Sequence, residues 1–178
     1  MVKIIEDKSD ILIHNMTKED IASIVDSFTF SWSNHEATLE KWNGYFQEQQ
    51  KNIRTVFLLK KRNEICGYAS FLRESDYPHF KNAHIPEIHD LWIASQHRKN
   101  GYGKMLVNHL EQFAFKEGYE QIGLRVGLYQ DYGSAQRLYI QQGYVPDGIG
   151  ITYENQPVIP GKSYPIDDEL VLGLTKTL

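Results

Sequence analysis

The chain has 178 residues, 24% charged and 41% hydrophobic, an ordinary globular balance. Nineteen Lys and Arg stand against 23 Asp and Glu, a formal net charge of −4, which argues against a whole-surface nucleic-acid footprint. Cys66 is the only cysteine, so an intrachain disulfide and a cysteine-based zinc knuckle are excluded and a reducing compartment is expected. The N-terminus has no apolar signal-peptide core. Runs such as Val56-Phe57-Leu58-Leu59 are strand-sized, far short of the ~20 residues a membrane span needs. The expectation is a soluble, cytoplasmic protein with neither nucleic acid nor membrane as partner. With no repeat and no linker, residues 1–178 read as one domain.

Along the chain, Ile11-Leu12-Ile13 reads as a strand. Thr17 then caps a helix, with Asp20 in a capping-box position and Ile21, Ile24, Val25 and Phe28 at i, i+3, i+4 and i+7. A second helix spans about Glu36 to Gln50, with Leu39, Trp42 and Phe46 on one face. Thr55–Leu59 and Ile65–Leu72 form a hairpin around the polar turn Lys61-Arg62-Asn63-Glu64. Residues Glu74 to Ala83 read as a loop and Ile85–Ile93 as a strand. Gly101 and Gly103 open a long helix that buries Leu106, Leu110, Phe113 and Ala114 and ends at Gly118. A strand from Gln121 to Leu128 and a short helix from Ser134 to about Gln142 follow. Strands from Tyr144 and over Glu169–Leu174 complete a mixed α/β order, β-α-α-β-β-β-α-β-α-β-β.

The informative stretch is His97-Arg98-Lys99-Asn100-Gly101-Tyr102-Gly103-Lys104, between a strand and a helix. Two glycines one residue apart let backbone amides face a common hollow, and the helix adds its unpaired N–H groups and positive dipole end. Arg98, Lys99 and Lys104 add three positive charges with no acid among them, which suits a phosphate. A tight turn with a solvated basic face would read the same way. Neither a dinucleotide fingerprint nor a P-loop fits, because Leu106 stands where the former needs a glycine and no Gly-Lys-Ser/Thr ending is present.

Arg98-Lys99-Asn100-Gly101-Tyr102-Gly103 resembles the Arg/Gln-x-x-Gly-x-Gly/Ala signature of the GNAT N-acetyltransferases. Glu87-Ile88-His89-Asp90-Leu91-Trp92-Ile93 is similar to the strand that precedes it. Ala135-Gln136-Arg137-Leu138-Tyr139 with Gly143-Tyr144 is similar to the family's A-x-x-L-Y…G-F/Y segment. The resemblance covers nearly the whole chain and is strongest from Pro86 to Val145.

It implies a central, mostly antiparallel mixed sheet flanked by helices, with two strands splayed at the cofactor site. It also implies acetyl transfer from acetyl-CoA to the primary amine of a small molecule, by direct attack in a ternary complex and with no metal. The loop Arg98, Lys99, Asn100, Gly101, Tyr102, Gly103 and Lys104 would take the CoA phosphates. Backbone of Leu91, Trp92 and Ile93 would pair with the pantetheine arm, and an amide near Leu91 or Trp92 would polarise the thioester carbonyl. Tyr139 would protonate the leaving thiolate. Glu87 is the first candidate base, with His89 on the same strand face; Asp90 faces away unless a bulge inverts the parity. The family often has Asn three residues before the alanine; here Tyr132 stands there, leaving that contact to Ser134 or backbone. Dimers are common in the family, although nothing in the sequence marks a dimer surface. A CoA-liganded sensor or scaffold of the same fold is the alternative reading.

Other residues carry weaker signals. Cys66, the one thiol, lies in a hairpin strand away from the motif, against a covalent acetyl-enzyme. His79, His84 and His89 recur every five residues, a spacing that fits no metal motif. Trp32, Tyr77 and Phe80, read as loop residues, are candidate substrate walls, whereas Trp42 and Phe46 read as helix core. From Asp147 onward there are five acids (Asp147, Glu154, Asp167, Asp168, Glu169) and two bases (Lys162, Lys176). That field favours a cationic amine as acceptor.

Overall fold

The computed structural model describes residues 10–28 and 33–178. Among the described residues eight strands form one sheet in the order β1-β2-β3-β4-β5-β8-β6-β7. They are β1 (Ile11–Asn15), β2 (Arg54–Lys61), β3 (Glu64–Leu72), β4 (Glu87–Ile93), β5 (Gln121–Gly127), β6 (Val145–Tyr153), β7 (Gln156–Pro157) and β8 (Leu170–Thr177). Among the described residues five α-helices accompany them: α1 (Asp20–Ser27), α2 (His35–Gln50), α3 (Pro78–Asn82), α4 (Tyr102–Lys116) and α5 (Gly133–Gln141). Every neighbouring pair is antiparallel except β4 and β5. The expected mixed, mostly antiparallel sheet is what forms. Among the described residues no helix is long and apolar enough to cross a membrane.

The core lies on both faces of the sheet. On one face, Phe57, Phe71, Ile88, Leu124 and Leu174 pack against Leu106, Val107, Leu110 and Ala114 of α4 and Tyr139 of α5. On the other, Val56, Leu58 and Tyr68 meet Ile21, Ile24 and Val25 of α1 and Trp42 of α2. Burial on both sides explains why β2 and β3 read as nearly continuous apolar runs. Gly67 lets β4 come close, since a Cβ there would lie 2.6 Å from the Trp92 carbonyl oxygen.

Helix ends follow their local chemistry. The Asn34 side chain accepts from the Ala37 amide at 2.8 Å and starts α2. Gly118, at φ +91°, lets the Tyr119 amide reach the Ala114 carbonyl and ends α4 in a Schellman turn. Three expectations change. Pro78, read as part of a loop, instead starts α3, because proline suits a first helical turn. Leu39 is exposed, so the buried side of α2 rests on Thr38 and Trp42. Thr17 does not cap α1 with its hydroxyl; the hydroxyl and the Thr17 amide both donate to Asp20, at 2.9 and 2.8 Å.

Asp20 also accepts from Lys60 Nζ at 2.6 Å and joins α1 to β2. Burial alone would raise its pKa, but Lys60, Thr17 and His14 together hold it down to about 2. A depressed carboxylate pKa contributes stability above the unfolded value and loses it as pH falls through the folded one. Asp20→Asn is therefore expected to lower the melting temperature at pH 7. Melts at decreasing pH should show the gap to the native chain closing from about pH 4 towards pH 2.

Candidate active site

The parallel pair β4–β5 is joined only at Glu87–Gly123 and Ile88–Leu124. Beyond Ile88 the two strands part, β4 staying with β3 and β5 with β8. Backbone alternation shows what faces the opening. The Ala94 amide bonds to the Cys66 carbonyl on β3 at 2.9 Å, and Trp92 pairs with Tyr68 on the same side. Leu91 and Ile93 therefore turn their amides and carbonyls towards the opening. The Ile93 carbonyl there accepts from Arg98 Nε at 3.0 Å.

The glycine turn lies at the end of this opening. Gly101 caps α4 at φ +81°, ψ 5°, and Lys99 is also left-handed at φ +66°. The Met105 amide makes the first intrahelical bond, to the Gly101 carbonyl at 3.0 Å. The amides of Gly103 and Lys104 have no carbonyl one turn earlier and project from the helix start. Arg98, Lys99, Asn100 and Lys104 are exposed around them, and Asn100 Nδ2 donates to the His97 carbonyl at 3.3 Å. The Tyr102 side chain, by contrast, is buried in the core. Gly103 lies close to α5, where a Cβ would sit 3.2 Å from Leu138 Cδ2.

Tyr139 is buried at 6% exposure, with its ring edge-on to Tyr144 at 6.0 Å. It shares the α4-side core with Leu91 and Ile93. Burial pushes its phenol up to about 12, so it keeps its proton at neutral pH. Tyr132 lies across Gly127 at the end of β5, where a Cβ would be 2.5 Å from its ring. Its hydroxyl donates to Asp168 at 2.9 Å, which fastens the β5–α5 connection to the segment before β8. Ser134 is exposed at the start of α5.

The candidate bases are each tied to a cation. Glu87 is 1% exposed; Arg125 Nε donates to Oε1 at 2.9 Å and the Ser75 hydroxyl to Oε2. His89 Nδ1 lies 3.3 Å from Arg54 Nη1. A guanidinium can only donate, so Nδ1 accepts and the imidazole proton sits on Nε2. Burial, opposed by the Glu87 charge and aided by Arg54, holds the His89 pKa below its ordinary value. A bulge at Asp90, with φ +52°, turns that carboxylate to the α2 side, where Lys41, Tyr45 and Tyr68 hold it. Asp90 thus joins the acid-bearing face that regular alternation would have denied it.

Tyr77 and Phe80 do not wall an open site. They are buried with Ile85, with Phe80 over Gly123. Trp32 lies outside the described residues. Sequence reasoning missed Arg54 and Arg125, the guanidiniums that fix His89 and Glu87. Arg125 had a signal, a lone cation between Leu124 and Val126 in an apolar strand. Because the pair is buried, Glu87→Ala is expected to cost about 3–5 kcal/mol of unfolding free energy. Adding Arg125→Met should recover part of that loss; denaturant titration measures both.

Comparison with known proteins decides the lineage. A family model described as the acetyltransferase (GNAT) family matches residues 21–144. The chain belongs to the GNAT acetyltransferase family. No curated protein sequence matches it. Solved structures share the GNAT fold at low identity. One is spermidine N-acetyltransferase from Vibrio cholerae with CoA and spermine, at 17% identity, covering 95% of this chain and 96% of that one, TM-score 0.66. Another is an N-acetyltransferase from Staphylococcus aureus Mu50, at 16% identity, 95% and 99% coverage and TM-score 0.69. A third, from Salmonella typhimurium, modifies the N-terminal serine of ribosomal protein L7/L12; it shares 12% identity, with 96% coverage of both chains and TM-score 0.70.

Proposed function

We propose that the chain transfers the acetyl group of acetyl-CoA to the primary amine of a small molecule, by direct attack in a ternary complex. The observation that carries this is the opening between β4 and β5, with Leu91 and Ile93 backbone turned into it and the Gly101 turn at its end. CoA brings a pyrophosphate and a long, polar pantetheine arm. The amides of Gly103 and Lys104, with the Arg98, Lys99 and Lys104 side chains, offer the phosphates donors and charge. The edge of β4 that turns away from β3, with the backbone of Leu91 and the amide of Ile93, offers the arm a strand to bond with.

The amine nitrogen attacks the thioester carbonyl carbon, and the C–S bond then breaks. Negative charge develops on the carbonyl oxygen, and the turn of the Leu91 amide towards the opening supports it as the donor that meets this charge. The amine attacks as the free base, having lost one proton to solvent. After attack the nitrogen releases a second proton to solvent, the departing sulfur takes its proton from the Tyr139 hydroxyl, and solvent returns a proton to the phenolate. We assign neither Glu87 nor His89 as a direct base, because Arg125 and the Ser75 hydroxyl donate to the two Glu87 oxygens and Arg54 donates to His89 Nδ1. A small cationic amine is favoured as acceptor. Asp147, Asp167 and Asp168 are held by the hydroxyls of Tyr77, Tyr153 and Tyr132, and among the described residues no Lys or Arg pairs with them. Hydroxyl donors orient a carboxylate without cancelling its charge, so this segment keeps a negative field.

Acetyl-CoA is expected to raise the melting temperature, by about 2.7 kcal/mol of added stability at a hundredfold excess over Kd. No shift at millimolar acetyl-CoA would overturn the proposal.

A further inference from the structure

Asp90 is a non-glycine residue held at φ +52°, a conformation that surrounding contacts must enforce. The register against β3 slips at the same place. Tyr68 faces Trp92 and Ser70 faces His89, so β4 spends one residue more than β3. Two elements grip the carboxylate there. Oδ2 accepts from the Tyr45 hydroxyl at 3.0 Å and lies 2.9 Å from Lys41 Nζ, both on α2. Oδ1 accepts from the Tyr68 hydroxyl of β3 at 3.2 Å. Burial alone would raise the Asp90 pKa, but Lys41, His89 and Tyr45 hold it below its ordinary value and keep the anchor charged.

Without the extra residue, regular alternation from His89 would turn Leu91 towards β3. With it, Leu91 faces the opening. We propose that Asp90 is a positioning residue: its carboxylate, tied to Lys41, Tyr45 and Tyr68, holds the β4 bulge and so aims the Leu91 amide at the thioester carbonyl. The proposal rests on the acetyl-CoA reading above. It makes α2 a determinant of carbonyl polarisation through Asp90, because the lock is broken by changes on that helix alone.

The test is the infrared carbonyl stretch of bound acetyl-CoA labelled with 13C at the acetyl carbonyl, alongside its Kd. Asp90→Asn keeps the side-chain shape but removes the charge that Lys41 holds. The double variant Lys41→Met/Tyr45→Phe leaves β4 itself unaltered and keeps the test open if Asp90→Asn does not fold. In both, the band should move from its position in the native complex back towards that of free acetyl-CoA, with Kd within about threefold. With an acceptor present, kcat should fall roughly tenfold or more, since loss of a whole donor of this kind costs about 100- to 1,000-fold. An unchanged band in the double variant at native affinity overturns the role of Asp90 and leaves the acetyl-CoA reading standing. A native chain that binds no acetyl-CoA overturns both.

Discussion

Gly101→Val is expected to weaken acetyl-CoA binding by about 100-fold or more while the sheet stays folded. The reason is conformational. Gly101 sits at φ +81° and caps α4 without a side-chain hydrogen bond. A β-branched residue does not adopt that backbone without strain. No protein atom lies within 4 Å of a Cβ built there, so internal crowding is not the cause. The valine would rotate the turn out of the left-handed region and swing the first amides of α4 away from their common direction. Its isopropyl group would also project where the phosphates approach. Hydrogen bonds to a charged group are worth about 1.5–3 kcal/mol each, so losing two gives roughly 3 kcal/mol, or about two decades in Kd. Gly101→Ala should lie between valine and native. Calorimetric titration with acetyl-CoA measures the series, and native affinity for the valine variant would remove the loop from the site.

Tyr139→Phe is expected to lower kcat by about 100- to 10,000-fold with acetyl-CoA affinity unchanged, the range for loss of a positioned acid. The substitution removes one oxygen and keeps the ring that packs near Tyr144, so the fold should survive. The sign of the pH dependence follows from its environment. As the proposed acid, Tyr139 must be protonated to act, and burial holds its phenol up to about 12. Its ionisation should therefore leave kcat level across neutral and moderately alkaline pH and reduce it only as pH nears 12. An unchanged kcat in the phenylalanine variant, measured where chemistry limits the rate, would take Tyr139 out of the mechanism.

Local rules made much of the scaffold legible. The spacing of Ile21, Ile24, Val25 and Phe28 gave the buried side of α1, and the glycines at 101 and 118 bracketed α4. The loop and Tyr139 could be singled out because they belong to short contiguous patterns. What stayed hidden depends on residues distant in sequence. Arg54 meets His89 across 35 residues and Arg125 meets Glu87 across 38. No window along the chain contains either pair, so both acids and bases looked more available than they are. The side taken by Asp90 depended on a one-residue slip against Tyr68 and Ser70, which only strand pairing defines. Tyr77 and Phe80 looked open because Pro78 reads as a loop residue, yet the proline starts α3 and carries Phe80 into the core. Tyr132 is read differently too: it fills the space over Gly127 and binds Asp168, a packing solution at the position where the family often has Asn.

On the proposed function, an amine consumes acetyl-CoA at the β4–β5 opening. Release of the CoA thiol, followed with acetyl-CoA across a panel of small amines and with mass measurement of the products, tests it most directly. The expected result is thiol release that requires both the chain and an amine, one acetyl group gained per thiol released, and the highest rates with cationic amines such as polyamines or amino sugars. Bound acetyl-CoA with no amine-dependent thiol release across the panel would contradict it.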